Sequence, residues 1–215
     1  MAVSGDRVAS LRVEYRLLDR AVQYALSAAG HATPQRLALA TPCADWDLGA
    51  LLAHLGDSFD ALTEGLAARS VIPVSGSSGA EGSAGAPSEP GGRAGALLGG
   101  RPGGLLGGRA GALLRACADV RYGHEPVTVG DRRLTTSVIA ITGAIEVAVH
   151  GWDISVTCGD HSPVPGRLAT ELLPYAALLV PRHTRPGLFA DPVPVARRSC
   201  AGDRLVAFLG RQPTR

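Results

Sequence analysis

The chain has 215 residues, and all 21 of its basic side chains are arginine, whereas glycine occupies 28 positions. The lack of lysine excludes a Schiff-base or pyridoxal-phosphate anchor, a Walker A phosphate loop and a kinase-type catalytic lysine. A formal net charge of +2 does not favour electrostatic capture of nucleic acid. The length and the 46% hydrophobic content predict a single domain, residues 1–215, with a substantial core.

The sequence contains neither a run of about 18 apolar residues nor a charged and apolar leader at its N-terminus. We therefore expect a cytoplasmic protein without a membrane partner. The cysteines Cys43, Cys117, Cys158 and Cys200 are far apart and form no CxxC pair, which argues against a disulfide framework or a thiolate zinc site. These thiols are expected to be free and buried.

Two amphipathic helices are predicted in the first third of the chain. The first covers residues 7–29, where apolar side chains recur on one stripe before a stop at Gly30. The second begins near Asp47, which is expected to cap it. Leucines at three- and four-residue steps then continue along its buried face.

A glycine-rich segment follows, in which an eight-residue unit recurs in tandem. The copies are GGRAGALL at 91–98, GGRPGGLL at 99–106 and GGRAGALL at 107–114. Paired glycines every eight residues disfavour a helix, and the unit is shorter than repeats that stack a core. Residues 73–108 are therefore predicted to form a flexible insertion. Binding of anionic ligands by the GGR units is the alternative interpretation.

Helical patterns return in the second half of the chain. Residues 127–129 and 132–134 are compatible with a small hairpin. A third helix is predicted over 134–157 and a fourth over 166–181. The tail, residues 186–215, is expected to contain an extended segment and a short helix that pack on the rest of the domain.

The third helix carries an unusual polar strip. Most of its surface is apolar, so the helix is expected to be covered by protein on most sides. At about 100° per residue, one narrow face instead collects small, acidic and histidine side chains. A solvent-facing stripe and a functional strip are both compatible with this pattern. The strip comprises Ile139, Thr142, Gly143, Glu146, His150, Asp153 and Thr157.

Two residues of this strip have the spacing of metal ligands. Glu146 and His150 are four residues apart and point the same way from adjacent turns. A third ligand must come from another element, and His54 on the second helix is the obvious source. From the spacing alone, a solvated pair and a half-exposed surface histidine remain open alternatives.

Two separated segments resemble a known family. TPCADWDLGALLAHLGDSFDAL at 41–62 and EVAVHGWDISVTCG at 146–159 resemble the two signatures of the mycothiol-dependent maleylpyruvate isomerase N-terminal domain. That family is a branch of the DinB-like metal-binding superfamily. The tail segments GLFADPVPV at 187–195 and DRLVAFLGRQP at 203–213 resemble its short actinobacterial members.

The resemblance implies an all-α, DinB-like four-helix bundle with a long glycine-rich crossover between the second and third helices. It also implies a divalent metal, usually zinc and alternatively nickel, on His54, Glu146 and His150. Three protein ligands leave an open position, which in the relatives is thought to bind mycothiol. Asp153 is predicted to be an outer carboxylate that orients a ligand, with a salt bridge at the helix end as the alternative.

The predicted activity is that of a metal-dependent thiol S-transferase or isomerase acting on a small electrophile. A thiol-free lyase, cyclase or hydrolase of a secondary-metabolism intermediate is the alternative, and a non-catalytic binding protein is the second alternative. The partner is a small-molecule substrate, and the oligomeric state is open, with a homodimer among the options. Because the additional C-terminal domain of the full-length isomerase is not recognised in the sequence, isomerisation of maleylpyruvate itself is not expected.

Other residues receive weaker expectations. Trp46 and Trp152 are expected to anchor the core, with a substrate platform as the alternative. Tyr15 and Tyr175 are within reach of a cavity in the bundle. The remaining histidines are expected at the surface: His31, His124, His161 and His183. Four arginines are candidates for the family's catalytic arginine: Arg69, Arg93, Arg109 and Arg115.

Overall fold

A computed structural model provides the coordinates of the protein. It describes residues 4–43, 46–67, 70–71, 102–119, 126–129, 132–185 and 189–213. The helices in these ranges are α1 (Ser4–Ala29), α2 (Leu48–Ala67), α3 (Pro102–Asp119), α4 (Thr136–Thr157), α5 (Gly166–Leu179) and α6 (Ala201–Phe208). The strands are β1 (Ser70–Val71), β2 (Pro126–Val129) and β3 (Arg132–Thr135).

Helices α1 to α4 form the bundle, which confirms the predicted all-α, DinB-like fold. The most extensive contact joins α1 to α4, while α2 packs against both α3 and α4. Small side chains allow the first pair to approach closely: a Cβ added at Gly151 on α4 would lie 3.0 Å from the Cα atom of Ala25. The two helices predicted in the first third of the chain are both present, as α1 and α2. The Asp47 carboxylate caps α2, as predicted, by accepting the Ala50 N–H at 2.7 Å.

Helix α3 corrects the prediction for the glycine-rich repeats. The last residues of the expected insertion, 102–108, are helical, so paired glycines did not prevent a helix here. Proline suits the first turn of a helix, and α3 begins at Pro102. Apolar side chains then lie buried at four- and three-residue steps, so tertiary burial outweighs the poor helix propensity of glycine. They are Leu106, Ala110, Leu113 and Cys117.

The third helix of the bundle is therefore α3. The helix that the sequence predicted as the third, residues 134–157, is α4. Residues 73–101 of the expected insertion lie outside the described residues, so its flexibility and its proposed anion binding stay predictions. The chain still passes from α2 to α3 through this long connection, of which only Ser70–Val71 is described.

A small sheet contacts α2 and α4. The predicted hairpin is confirmed, because β2 and β3 pair antiparallel with Val127 opposite Leu134. β1 adds in parallel, with Ser70 opposite Thr128. β3 leads directly into α4, whose N-cap is Thr135: its hydroxyl oxygen accepts the Val138 N–H at 3.3 Å.

Helix α4 lies in the core of the bundle. Within the described residues it is the one helix long and apolar enough to cross a membrane, and 78% of its most apolar window is buried inside the protein. Such burial is typical of the core helix of a soluble protein. Its apolar surface is therefore covered by the other helices.

The C-terminal segment folds back along the bundle. Helix α6 packs against α5, and the buried Arg185 holds the intervening chain in place. Its guanidinium donates at 2.8 Å to the carbonyls of Ala190 and Phe208, and it stacks on the Phe208 ring at 4.7 Å. This arrangement brings the residues after α6 next to α4.

None of the four cysteines forms a disulfide, and Cys117 and Cys158 are buried as expected. Burial raises the pKa of the Cys117 thiol to about 12. Cys200 is exposed because it precedes α6, where its sulfur accepts the Asp203 N–H. Cys43 is only partly buried.

The glycines of α3 provide a test of its helical state. Gly107 and Gly108 are exposed, and a Cβ at either position would meet no atom within 4 Å. Replacing both with alanine should raise the free energy of unfolding by about 1–2 kcal/mol, because alanine favours a helix interior. Urea denaturation measures the change.

The control is Gly210→Ala. Gly210 has a φ of +86°, and a Cβ there would lie 2.7 Å from the Ala190 carbonyl oxygen, so this variant should be less stable than the wild type. An unchanged stability in the Gly107→Ala/Gly108→Ala variant would contradict a formed α3.

Candidate metal centre

The turn before α2 positions the first part of the site. The Thr41 hydroxyl donates to the Trp46 carbonyl at 2.8 Å, and its oxygen accepts the Cys43 N–H at 3.1 Å. Together with the Asp47 cap, these bonds fix the Trp46 ring above the first turns of α2. His54 follows on the same helix.

The structure brings together the three residues that the sequence singled out as ligands. His54 on α2 faces Glu146 on α4, with 3.1 Å between His54 Nε2 and Glu146 Oε1. One ligand atom from each of His54, Glu146 and His150 lies within 4.8 Å of the others. Two imidazoles and one carboxylate therefore converge between the two helices.

Trp46 covers this group of side chains. Its ring centroid lies 4.2 Å from that of His54 and 5.9 Å from that of His150. The two imidazoles meet edge to face at 5.2 Å. Trp46 is thus a wall of the site as well as a neighbour of the core, whereas Trp152, 3% exposed, is the core anchor that the sequence predicted.

Glu146 is held in its ionised form. Burial by itself would raise the pKa of this carboxyl, but hydrogen bonds from His54 and Ser58 and the nearby His150 lower it below its usual range. The Ser58 hydroxyl donates to Glu146 Oε1 at 2.6 Å. Sequence reasoning missed Ser58, although it lies four residues after His54 and so on the same face of α2.

Asp153 connects His150 to a buried arginine. Its carboxylate is 0% exposed and accepts a hydrogen bond from His150 Nδ1 at 3.1 Å. Arg211 donates to the same carboxylate through Nε at 3.3 Å and Nη2 at 3.0 Å. The salt bridge that was the alternative for Asp153 is thus present, and the same carboxylate contacts the imidazole of His150, a predicted ligand. With Nδ1 engaged, Nε2 is the His150 nitrogen that remains for a metal.

Arg211 is the second residue that sequence reasoning missed, because nothing in the tail pattern ties it to α4. Burial by itself would lower the pKa of the Arg211 guanidinium. The charge of Asp153 and the hydrogen bonds to it have the larger combined effect and raise this pKa above its usual value, so Arg211 stays charged. Cys43, His150 and Asp153 also place ligand atoms within 4.8 Å of one another. Since Arg211 occupies both Asp153 oxygens and lies beside Cys43, its charge opposes a cation in that group.

The polar strip of α4 is exposed only in part, since Thr142 lies at the surface whereas His150 and Asp153 are buried. Beyond Glu146, a cavity of about 320 Å³ separates α2 from the first turns of α4. At the other end of the strip, Thr157 donates to the Asp153 carbonyl. The strip therefore borders a cavity and a buried ion pair rather than one continuous solvent-facing stripe. The cavity is lined by Ser58, Ala61, Leu62, Leu134, Ile139, Thr142, Gly143 and Glu146.

Several other expectations meet different outcomes. Arg109 pairs with the exposed Asp57 and Asp60 on α2, and Arg115 folds back towards Gly111 of its own helix. Neither Tyr15 nor Tyr175 belongs to the described cavity lining. The remaining predicted residues fall into two groups: His31, His161 and His183 are exposed, and Arg69, Arg93 and His124 lie outside the described residues.

The helical bundle, with a histidine and glutamate cluster between α2 and α4, defines a DinB-like protein that carries candidate metal-ligand groups. The model of the mycothiol maleylpyruvate isomerase N-terminal domain matches residues 18–155, and the chain belongs to this family. No significant match is found among curated proteins or solved structures. The matched region contains His54, Glu146 and His150 but ends before Arg211.

The Asp153–Arg211 pair yields a stability prediction. Asp153→Ala would leave the Arg211 guanidinium buried without its carboxylate, which should lower the free energy of unfolding by about 3–5 kcal/mol. The double variant Asp153→Ala/Arg211→Met removes both charges and should recover at least half of that loss. Urea denaturation of metal-free protein measures both.

Arg167→Ala serves as the control, because this exposed side chain pairs with Glu171 at the surface and should change stability little. If Asp153→Ala behaved like Arg167→Ala, the buried pair would not carry the role assigned to it.

Proposed function

We propose that the protein is a divalent-metal-dependent enzyme that joins a low-molecular-weight thiol, such as mycothiol, to a small electrophile, or isomerises that electrophile. The observation that supports this function is the convergence of His54, Glu146 and His150 beside a cavity. A thiol adds to an electrophilic carbon to give a conjugate, or it adds and leaves again to give an isomer.

The residues fit a metal of this kind. Two imidazole nitrogens and a carboxylate oxygen suit zinc, and nickel also accepts imidazole ligands. The Asp153 carboxylate on His150 Nδ1 supports this assignment, since metal-binding histidines usually donate their second N–H to such a group. Three ligands on a catalytic zinc leave one position open.

The bound metal would supply charge that favours the thiolate form of a thiol at neutral pH. The remaining work falls to the chain. Ser58 holds Glu146 in place, Asp153 fixes the His150 ring, and Trp46 shields both imidazoles from solvent on one side. The substrate is a small molecule, and cysteines that form no disulfide accord with the reducing cytoplasm.

Removal of the ligands should abolish metal binding. We expect about one zinc or nickel ion per wild-type chain, and a loss of at least 100-fold in affinity for His54→Ala and Glu146→Ala, since each removes one of three protein ligands. Elemental analysis and competition with a chromophoric chelator measure both quantities. His183→Ala, at an exposed histidine, is the control and should bind metal normally. Equal metal content in all variants would rule out this ligand set.

Asp153→Asn tests the positioning of His150. The amide is a weaker acceptor than the carboxylate, so zinc affinity should fall about 10- to 100-fold while the protein still binds one ion. A comparison of metal affinity with the free energy of unfolding separates this effect from loss of the Arg211 pair. Unchanged affinity would leave Asp153 with a purely structural role.

Turnover distinguishes the proposed reaction from its alternatives. The zinc protein should consume mycothiol together with an activated alkene or epoxide, and consumption should cease in Glu146→Ala. Conversion of the electrophile without thiol would instead indicate a lyase, cyclase or hydrolase. Metal binding without turnover across such a panel would favour a binding protein.

A further inference from the structure

The cavity extends from Glu146 in the direction opposite to His150. Because α2 and α4 run antiparallel, Ser58 lies opposite Glu146 while Leu62 contacts the region of Gly143. From Glu146 to Ile139 the cavity follows α4 for seven residues, about 10 Å along the helix axis. It thus begins at the proposed metal ligands and ends near the hairpin.

The walls of this cavity are mainly apolar. Ala61 and Leu62 come from α2, Leu134 from β3, and Ile139 from α4. None of its described lining residues is basic, and the one charged residue among them, Glu146, is an acid. A second carboxylate placed here would lie beside Glu146 and meet no basic side chain among the described lining residues, whereas a hydrocarbon group would gain from leaving water.

We propose that the cavity binds the hydrocarbon body of the substrate while the polar, reacting end of the same molecule lies at His54, Glu146 and His150. The inference rests on the function proposed above and narrows its substrate class. The substrate is a small molecule with one polar end and an uncharged apolar body, as opposed to a dicarboxylate such as maleylpyruvate.

Contact between α2 and α4 sets the size of this cavity. A Cβ at Gly143 would lie 2.6 Å from Leu62 Cδ2 and 2.7 Å from its Cδ1, so any larger residue at position 143 must displace the Leu62 side chain. Gly143 and Leu62 therefore limit the size of the hydrocarbon group that the cavity can hold.

Alkyl hydroxamates test the proposal, because each carries a metal-binding head and a chain of chosen length. With zinc-loaded protein, calorimetry should show the Kd falling about threefold to fourfold for each methylene added from acetohydroxamate to hexanohydroxamate. A hydroxamate of equal length that ends in a carboxylate should bind no better than acetohydroxamate.

Methyl NMR locates the chain independently of activity. The Ile139 δ1-methyl signal should shift with hexanohydroxamate, whereas that of Ile154 should not, because Ile154 is fully buried about 22 Å further along α4. Thr142→Phe narrows the cavity from an exposed position. The factor by which hexanohydroxamate binds more tightly than acetohydroxamate should therefore fall at least tenfold in this variant. Thr170→Phe, on the exposed face of α5, is the matched control and should keep this factor.

The outcomes separate the two proposals. If acetohydroxamate binds but a longer chain gives no gain, the apolar subsite is wrong while the metal site stands. If the chain binds no metal, the proposed function is wrong, and the cavity is then tested with hexan-1-ol, which has no metal-binding head. Absence of an Ile139 shift with hexan-1-ol overturns the subsite as well.

Discussion

The rest of the site depends on the pairing of Asp153, a carboxylate that is fully buried near the C-terminal end of α4. A buried charge needs a partner of opposite charge and further hydrogen bonds, and Asp153 has both in Arg211 and His150. The same carboxylate therefore ties the C-terminal segment to α4 and fixes the ring of a proposed ligand. Folding of the tail and the geometry of the site are coupled through this one group.

The antiparallel contact of α2 with α4 divides the polar strip into regions with different chemistry. At His54 and His150 the helices place two imidazoles beside the Trp46 ring. On the other side of Glu146, small and aliphatic side chains leave a cavity. A molecule that spans both regions would meet charge at one end and hydrocarbon at the other, which is the physical basis of the substrate class proposed here.

The family assignment and the cavity bear on different features of the protein. Membership in the maleylpyruvate isomerase N-terminal domain family accounts for the bundle and for the histidine and glutamate motifs within residues 18–155. Arg211 lies outside that match, and the cavity lining depends on the hairpin residue Leu134 as well as on the helices. The cavity lining therefore lies within the matched region, whereas Arg211 does not.

The sequence by itself determined the helical class, the helices α1, α2, α4 and α5, the hairpin and the four-residue spacing of Glu146 and His150, because periodicity and spacing are local properties of a chain. Spacing left the role of His54 open, and its addition to this pair rested on the resemblance of two motifs to a known family. Tertiary structure decided the features that local sequence patterns leave open, namely the helical state of α3 and the contacts between distant segments. Burial of four apolar side chains made a helix of the glycine-rich α3, which propensity alone disfavours. Arg211 reaches the site only through the folded chain, since contacts between distant segments leave no periodic trace in the sequence.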